Sequence, residues 1–306
     1  MPSLIVDAGQ KATRRFLEFF TAQIRNRNTR DAYHRALVDF LAWTGDRNAS
    51  LEQIEPIQVA AYVEYLMTIY SPPTVKQHLA AIRMCFDWLV TGQVVASNPA
   101  ASVRGPKYVV KRGKTPVLSA EEARQLLDSI DCSTAVGLRD RALISLMIFT
   151  FARVSAVTAL KVEDYYHIGK RSWIRLHEKG GKFLEVPAHH KVVDDLDAYL
   201  EAGGQADDSQ GPLFRTAIGR SGFLSERPLT RQDALRIVKR RVQAAGLSER
   251  LCCHTFRATG ITAYLENGGT IEKAQLIAGH ESPRTTKLYD RTSDELSLDE
   301  VERILI

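Results

Sequence analysis

Sulfur is scarce in this 306-residue chain, which holds four cysteines and four methionines. Cys85, Cys132, Cys252 and Cys253 have no paired spacing, and no C-x-x-C completes a zinc site around the adjacent Cys252 and Cys253. They read as reduced, mostly buried thiols rather than as a disulfide framework. Also missing is any stretch near the roughly 20 apolar residues that span a bilayer. The opening MPSLIVDAGQKATRR lacks the ordered basic, apolar and small-residue regions of a signal peptide. No membrane partner is expected, and the cytoplasm is the expected compartment. There is no internal repeat or low-complexity tract. Acidic clusters at metal-binding spacing are absent, so no metal or other cofactor is expected. A nucleotide-binding G-x-x-x-x-G-K-[ST] loop fails at both ends around Lys182. Leu176 stands where its first glycine should be, and Phe183 follows the lysine.

A 44% hydrophobic and 25% charged composition suits a globular chain long enough for two separate cores. Net charge is +5. Residues 1–112 hold 14 Lys/Arg against 9 Asp/Glu, whereas residues 113–306 hold 27 of each, so the whole surplus lies in the first third. That placement points to a polyanionic partner without excluding ordinary solvated faces.

The first third reads as a helical bundle. Apolar residues recur at spacings of three and four over Lys11–Ile24, Thr29–Thr44, Ile57–Ile69 and Thr74–Thr91. Ser71-Pro72-Pro73 precedes the last of these, on which Thr74, Lys76, Gln77 and Arg83 are candidate phosphate-binding side chains. A stretch of weak periodicity follows, with a basic run (Arg104, Lys107, Lys111, Arg112, Lys114) that marks residues 104–116 as a linker. The expected division is thus residues 1–103, the linker, and residues 117–306. The second domain opens with a capping box at Ser119 and Glu122. It continues through an apolar core helix over Leu138–Phe149 and a hairpin, Ser172–His177 and Phe183–Ala188, around Glu178-Lys179-Gly180-Gly181-Lys182. Further helices are expected over Val192–Glu201, Arg231–Ala245, His254–Glu266, Ile271–Ile277 and Pro283–Tyr289. Arg231, Arg236, Lys239, Arg240 and Arg241 give one of these a basic face suited to a phosphate or groove contact. The fold class is mainly α with a small antiparallel sheet.

Four short segments carry chemistry. His254 and Arg257, three apart on a helix, share a face and can reach one small anion. Gly279 ends a helix, Ser282-Pro283 starts another with Tyr289 two turns into it, and His280 at the junction can converge with that hydroxyl. Arg153 follows the core helix and needs an anionic partner, either a carboxylate such as Asp164 or a phosphate. Lys179 sits at the hairpin tip, where it could enter a groove.

Taken in order, A-R-V-S at Arg153, E-K-G-G-K at Lys179, H-T-F-R at His254 and Arg257, and L-x-x-G-H with nine residues to Tyr289 resemble the catalytic signature of the tyrosine recombinase, or phage integrase, family. The resemblance covers the second domain closely and the N-terminal helices more loosely. It implies a SAM-like core-binding bundle, a catalytic domain, and site-specific cutting and rejoining of double-stranded DNA by a homotetramer on two sites. By resemblance, Tyr289 attacks a phosphodiester and His254 is its base. Arg153 and Arg257 clamp the phosphate, Lys179 protonates the leaving 5′ oxygen, and His280 hydrogen-bonds the phosphate. Free tyrosine has a pKa near 10, so its phenol needs help losing a proton. Family members commonly carry glycine two residues before the first arginine and glutamate three residues after it. Those positions are Phe151 and Ala156 here, with Asp164 a candidate substitute carboxylate. Leu298, Val301, Ile304, Leu305 and Ile306 form an apolar tail that either docks on a neighbouring protomer, as in the family, or packs on its own domain. Two rivals stand beside this reading: a type IB topoisomerase, with closely similar phosphotyrosine chemistry but no site choice, and a DNA-binding regulator that keeps the fold without catalysis.

Overall fold

A computed structural model describes residues 1–46, 50–110, 113–178, 182–219 and 221–291. The chain divides into two compact units, Met1–Val109 and Val110–Ile306.

The first unit consists of α1 (Ser3–Asp7), α2 (Gln10–Glu18), α3 (Arg27–Gly45), α4 (Pro56–Ile69) and α5 (Pro72–Thr91). The helix expected to reach Ile24 instead passes into a π turn over Phe19–Gln23, and α1 was not expected at all. At five residues, α1 is too short to reveal a helical period. Local chemistry sets the ends. The Asn26 side chain accepts from the Thr29 N–H at 3.2 Å, and Pro56 and Pro72 occupy first-turn positions where a missing N–H costs nothing. The core is aromatic, with edge-to-face contacts at Phe16–Phe20 (centroids 5.2 Å apart) and Phe40–Tyr62 (5.1 Å). Beyond α5 the chain is pinned back: Arg83 Nε donates to the Ala100 carbonyl at 3.1 Å and a terminal nitrogen to that of Val103. Asn98 Nδ2 donates to Asp87 Oδ1 at 2.7 Å.

The second unit begins with α6 (Ala120–Asp128), whose capping box is formed as expected, and α7 (Ala135–Phe149). Buried residues run around nearly the whole of α7, so it is a core helix without a solvent stripe. A short α8 (Val154–Val157) leads to an antiparallel sheet in the order β1 (Tyr165–Ile168), β2 (Arg171–Glu178), β3 (Lys182–Pro187). The hairpin register pairs Leu176 with Leu184 and His177 with Phe183. Lys179, at its tip, lies outside the described residues. Then come α9 (His190–Gly203), the hairpin β4 (Arg215–Ala217) and β5 (Leu224–Pro228), α10 (Arg231–Ala244), α11 (Cys253–Glu266), α12 (Ile271–Ala278) and α13 (Pro283–Lys287). β1, β4 and β5 were not anticipated, because three to five residues are too few to display alternation.

One contact between helices positions the site. α11 crosses α7 so closely at Gly260 that a Cβ there would stand 2.0 Å from the Ile148 carbonyl oxygen. Only a residue without a side chain permits this approach, which brings the start of α11 to the loop that leaves α7.

Candidate active site

The loop after α7 carries Arg153, α11 carries His254 and Arg257, and the turn from α12 to α13 carries His280 and leads to Tyr289. Arg257 is 1% exposed. It donates from one terminal nitrogen to the Phe151 carbonyl and from the other to that of Ala278 at 2.6 Å, tying the Arg153 loop to the end of α12. Gly279 takes the left-handed conformation (φ 58°) that ends α12 and turns the chain so that His280 points inward. Tyr289 does not lie on a helix as expected: α13 ends at Lys287, and the Tyr289 N–H closes the last turn on the Thr286 carbonyl at 2.9 Å.

These elements converge. Tyr289 is 8% exposed, and its hydroxyl lies 2.9 Å from His254 Nε2. The His280 ring runs parallel to the Tyr289 ring, inclined by 8° with centroids 5.9 Å apart. Beneath them Phe151, Ala258, Ile261, Leu265, Ala274 and Ala278 form a small apolar floor shared with Tyr289.

Burial, then the charges of Arg257 and Arg153, lower the pKa of His254, although the residue as a whole remains exposed. The same causes in the same order, with His254 added, push the buried His280 down to about 4. Both imidazoles are therefore neutral at pH 7, and both report a nearby Arg153 guanidinium. With two cations shifting two histidines the same way, the pocket is electropositive and suited to an anion. A neutral His254 facing a phenol through Nε2 is a proton acceptor, which requires its hydrogen on Nδ1.

Two supporting residues gave no signal in the sequence. Thr286 Oγ1, fully buried, lies 2.9 Å from His280 Nδ1, and Thr262 Oγ1 donates to the Tyr289 carbonyl at 2.9 Å. Threonines are too common at such positions to stand out.

Other expectations are revised by geometry. Asp164 accepts from the Lys161 N–H (2.9 Å) with one oxygen and lies 3.0 Å from His177 Nε2 with the other, so it holds β2 close to the hairpin tip. Ala156 is 2% exposed against the main core, where a glutamate would have to be desolvated. Arg83, bound to two carbonyls, holds the chain rather than offering its donors outward. On α10, Arg240 and Arg241 turn onto the fully buried Asp140 (2.8 and 2.9 Å), which Arg139 also grips, and Lys239 donates to the Glu249 carbonyl. Arg240 still keeps 57% of its side chain exposed. Thr74, Lys76 and Gln77 share the first turns of α5, with Lys76 and Gln77 exposed. The tail from residue 298 lies outside the described residues. Among the described residues no group of His, Cys, Asp and Glu could hold a metal ion, and no helix is long and apolar enough to cross a membrane.

Residues 116–295 match the model of the phage integrase family, and residues 13–94 match that of the phage integrase N-terminal SAM-like domain. The chain belongs to the phage integrase family. Among curated relatives, the chain is 29% identical over 274 residues to the tyrosine recombinase XerD of Ralstonia nicotianae, covering 88% of this chain and 85% of the relative. It is 31% identical over 236 residues to the tyrosine recombinase XerC of Chlamydia muridarum, covering 76% and 71%. Among solved structures, the chain shares its fold with a lambda integrase tetramer bound to a Holliday junction, with a TM-score of 0.68 and 19% identity over 93% of this chain and 79% of that one.

Proposed function

We propose that this protein is a site-specific recombinase that cuts and rejoins double-stranded DNA through a 3′-phosphotyrosine on Tyr289. The observation that carries the reading is the 2.9 Å contact between the Tyr289 hydroxyl and His254 Nε2, inside an electropositive pocket built around buried Arg257. In the forward step the phenol oxygen attacks the scissile phosphorus and its proton passes to His254 Nε2. The bond from phosphorus to the 5′ oxygen breaks, and Lys179 protonates that oxygen. Arg153 and Arg257 stabilise the non-bridging oxygens. Each such preorganised donor lowers a barrier by about 3 to 4 kcal/mol. His280 donates to the phosphate from Nε2, so as a neutral imidazole it must accept at Nδ1 from the Thr286 hydroxyl. Rejoining reverses the sequence: a 5′ hydroxyl attacks the phosphotyrosine and the phenolate leaves. Bond energy is retained throughout, and no ATP is consumed.

Residues 1–103 serve as the core-binding domain, residues 104–116 as a basic linker and residues 117–306 as the catalytic domain. Thr74, Lys76 and Gln77 on α5, and Lys239 and Arg240 on α10, contact DNA phosphates, while Arg83 holds the segment that follows α5 and Arg241 shares Asp140 with Arg240. Two sites are joined by a homotetramer, an assembly supported by that of the lambda integrase relative. A DNA substrate fits the cytoplasm as the compartment.

Labelled, nicked duplexes cut from the DNA flanking its own gene test the reading. Wild type leaves a protein–DNA adduct on a denaturing gel, and Tyr289→Phe leaves none while shifting the same duplex on a native gel. An adduct in the mutant would transfer the nucleophile to another residue.

A further inference from the structure

Phe151 is the anomaly of this pocket. Its φ of 55° lies in the left-handed region, where a side chain is disfavoured and glycine is the ordinary occupant. Yet the residue is 4% exposed, and two groups hold it in that conformation. Its carbonyl accepts from Arg257. Its ring fills the notch left by the missing side chain of Gly260, where an added Cβ would stand 2.7 and 2.8 Å from ring carbons. The ring also meets Tyr264 edge to face, with centroids 6.1 Å apart, and shares the apolar floor beneath Tyr289.

We propose that Phe151 is a positioning residue for cleavage: its ring, locked into the Gly260 notch, forces the left-handed turn that aims its carbonyl at Arg257 and projects Arg153 into the pocket. The ring does by packing what glycine does by permissiveness. If the turn relaxed into an ordinary conformation, the carbonyl would swing away from the guanidinium and Arg153, two residues on, would be displaced with it. A misplacement of about 1 Å from such a cause slows a reaction about a hundredfold. The inference rests on the recombinase reading for its effect on rate, but not for its effect on Arg257.

The test compares Phe151→Ala, Phe151→Leu and Phe151→Gly in the full chain. Three quantities are measured: binding to a nicked duplex that wild type attacks, single-turnover adduct formation by the bound protein, and exchange protection of the Arg257 side-chain N–H groups by nitrogen-15 NMR. The expected result is unchanged DNA binding in all three variants. Adduct formation falls about tenfold to a hundredfold in Phe151→Ala, with loss of Arg257 protection, while Phe151→Gly recovers most of both because glycine adopts the turn unaided. Should the alanine variant fail to fold, Phe151→Leu takes its place. Leucine retains apolar bulk but not the flat ring, and it must be slower than glycine. Wild-type rates in alanine, or glycine no better than alanine or leucine, would overturn the proposal and reduce Phe151 to core filling. If wild type itself forms no adduct, the recombinase reading fails, and the NMR comparison still decides whether Phe151 positions Arg257.

Discussion

The core of the N-terminal unit and the floor beneath Tyr289 are both buried, but they are built by opposite means. The first is a large aromatic and aliphatic cluster in which Thr44 and His78 are the only polar residues buried among those described. The second has three alanines among its seven apolar members. It is surrounded by buried Arg257, Thr259, Thr262, His280 and Thr286. Packing of large side chains fixes a shape and tolerates small adjustments. Directional bonds to buried polar groups fix single atoms, and a broken one leaves a donor or acceptor stranded. The bundle therefore needs volume, whereas the pocket needs each partner.

Substitution at Arg257 separates these two modes most sharply. Arg257→Lys keeps the charge but replaces a planar fork with a point donor that cannot reach the Phe151 and Ala278 carbonyls together. Adduct formation is expected to fall about a hundredfold or more with DNA binding retained. A near-wild-type rate would mean that charge alone suffices. In the bundle, Phe40→Ala is expected to cost about 3 to 5 kcal/mol in urea unfolding, since Phe40 is fully buried. Cleavage per folded, DNA-bound molecule should be unaltered. A change in that intrinsic rate would show that the bundle's packing is coupled to the chemistry and would erase the distinction.

The two regions also differed in how much of them could be read in advance. Helices α3, α4 and α5 were legible because a 3.6-residue period in apolar residues reports burial of one face. The pocket was legible only as a list. The residue types and order of Arg153, His254, Arg257, His280 and Tyr289 stood out, but nothing local showed that Arg257 would hold two carbonyls or that Thr286 would face His280. Those contacts join residues 106, 21 and 6 positions apart. Arg83, Arg240 and Arg241 show the converse limit. A basic side chain on a helix looks alike in sequence whether it faces solvent or a buried Asp140. Phe151 is the instructive case, because the departure from glycine was visible while its compensation by Gly260, 109 residues later, required the crossing of α7 and α11.

Acidity makes the smallest change and tests the pocket's electrostatics alone. His254 has a lowered pKa, so its Nε2 is bare at neutral pH and loses that capacity only when the pH falls below the ordinary histidine value of about 6.5. The second-order rate constant for adduct formation at low DNA concentration reports the free protein. It should hold level from pH 8 down past 6.5 and then fall by about tenfold per pH unit. His280, at about 4, titrates lower and does not obscure the first limb. Stability moves in the same direction. The unfolded chain takes up protons near 6.5 that the folded pocket resists, so stability complete above that pH is lost progressively toward 4. Rates must therefore be taken where circular dichroism still shows the folded chain. In His254→Gln the rate should be low and flat across the same range. A limb that persists in that variant, or whose midpoint in wild type lies at or above 6.5, would assign the base elsewhere. It would also mean that the arginines which shape the pocket leave its proton acceptor untouched.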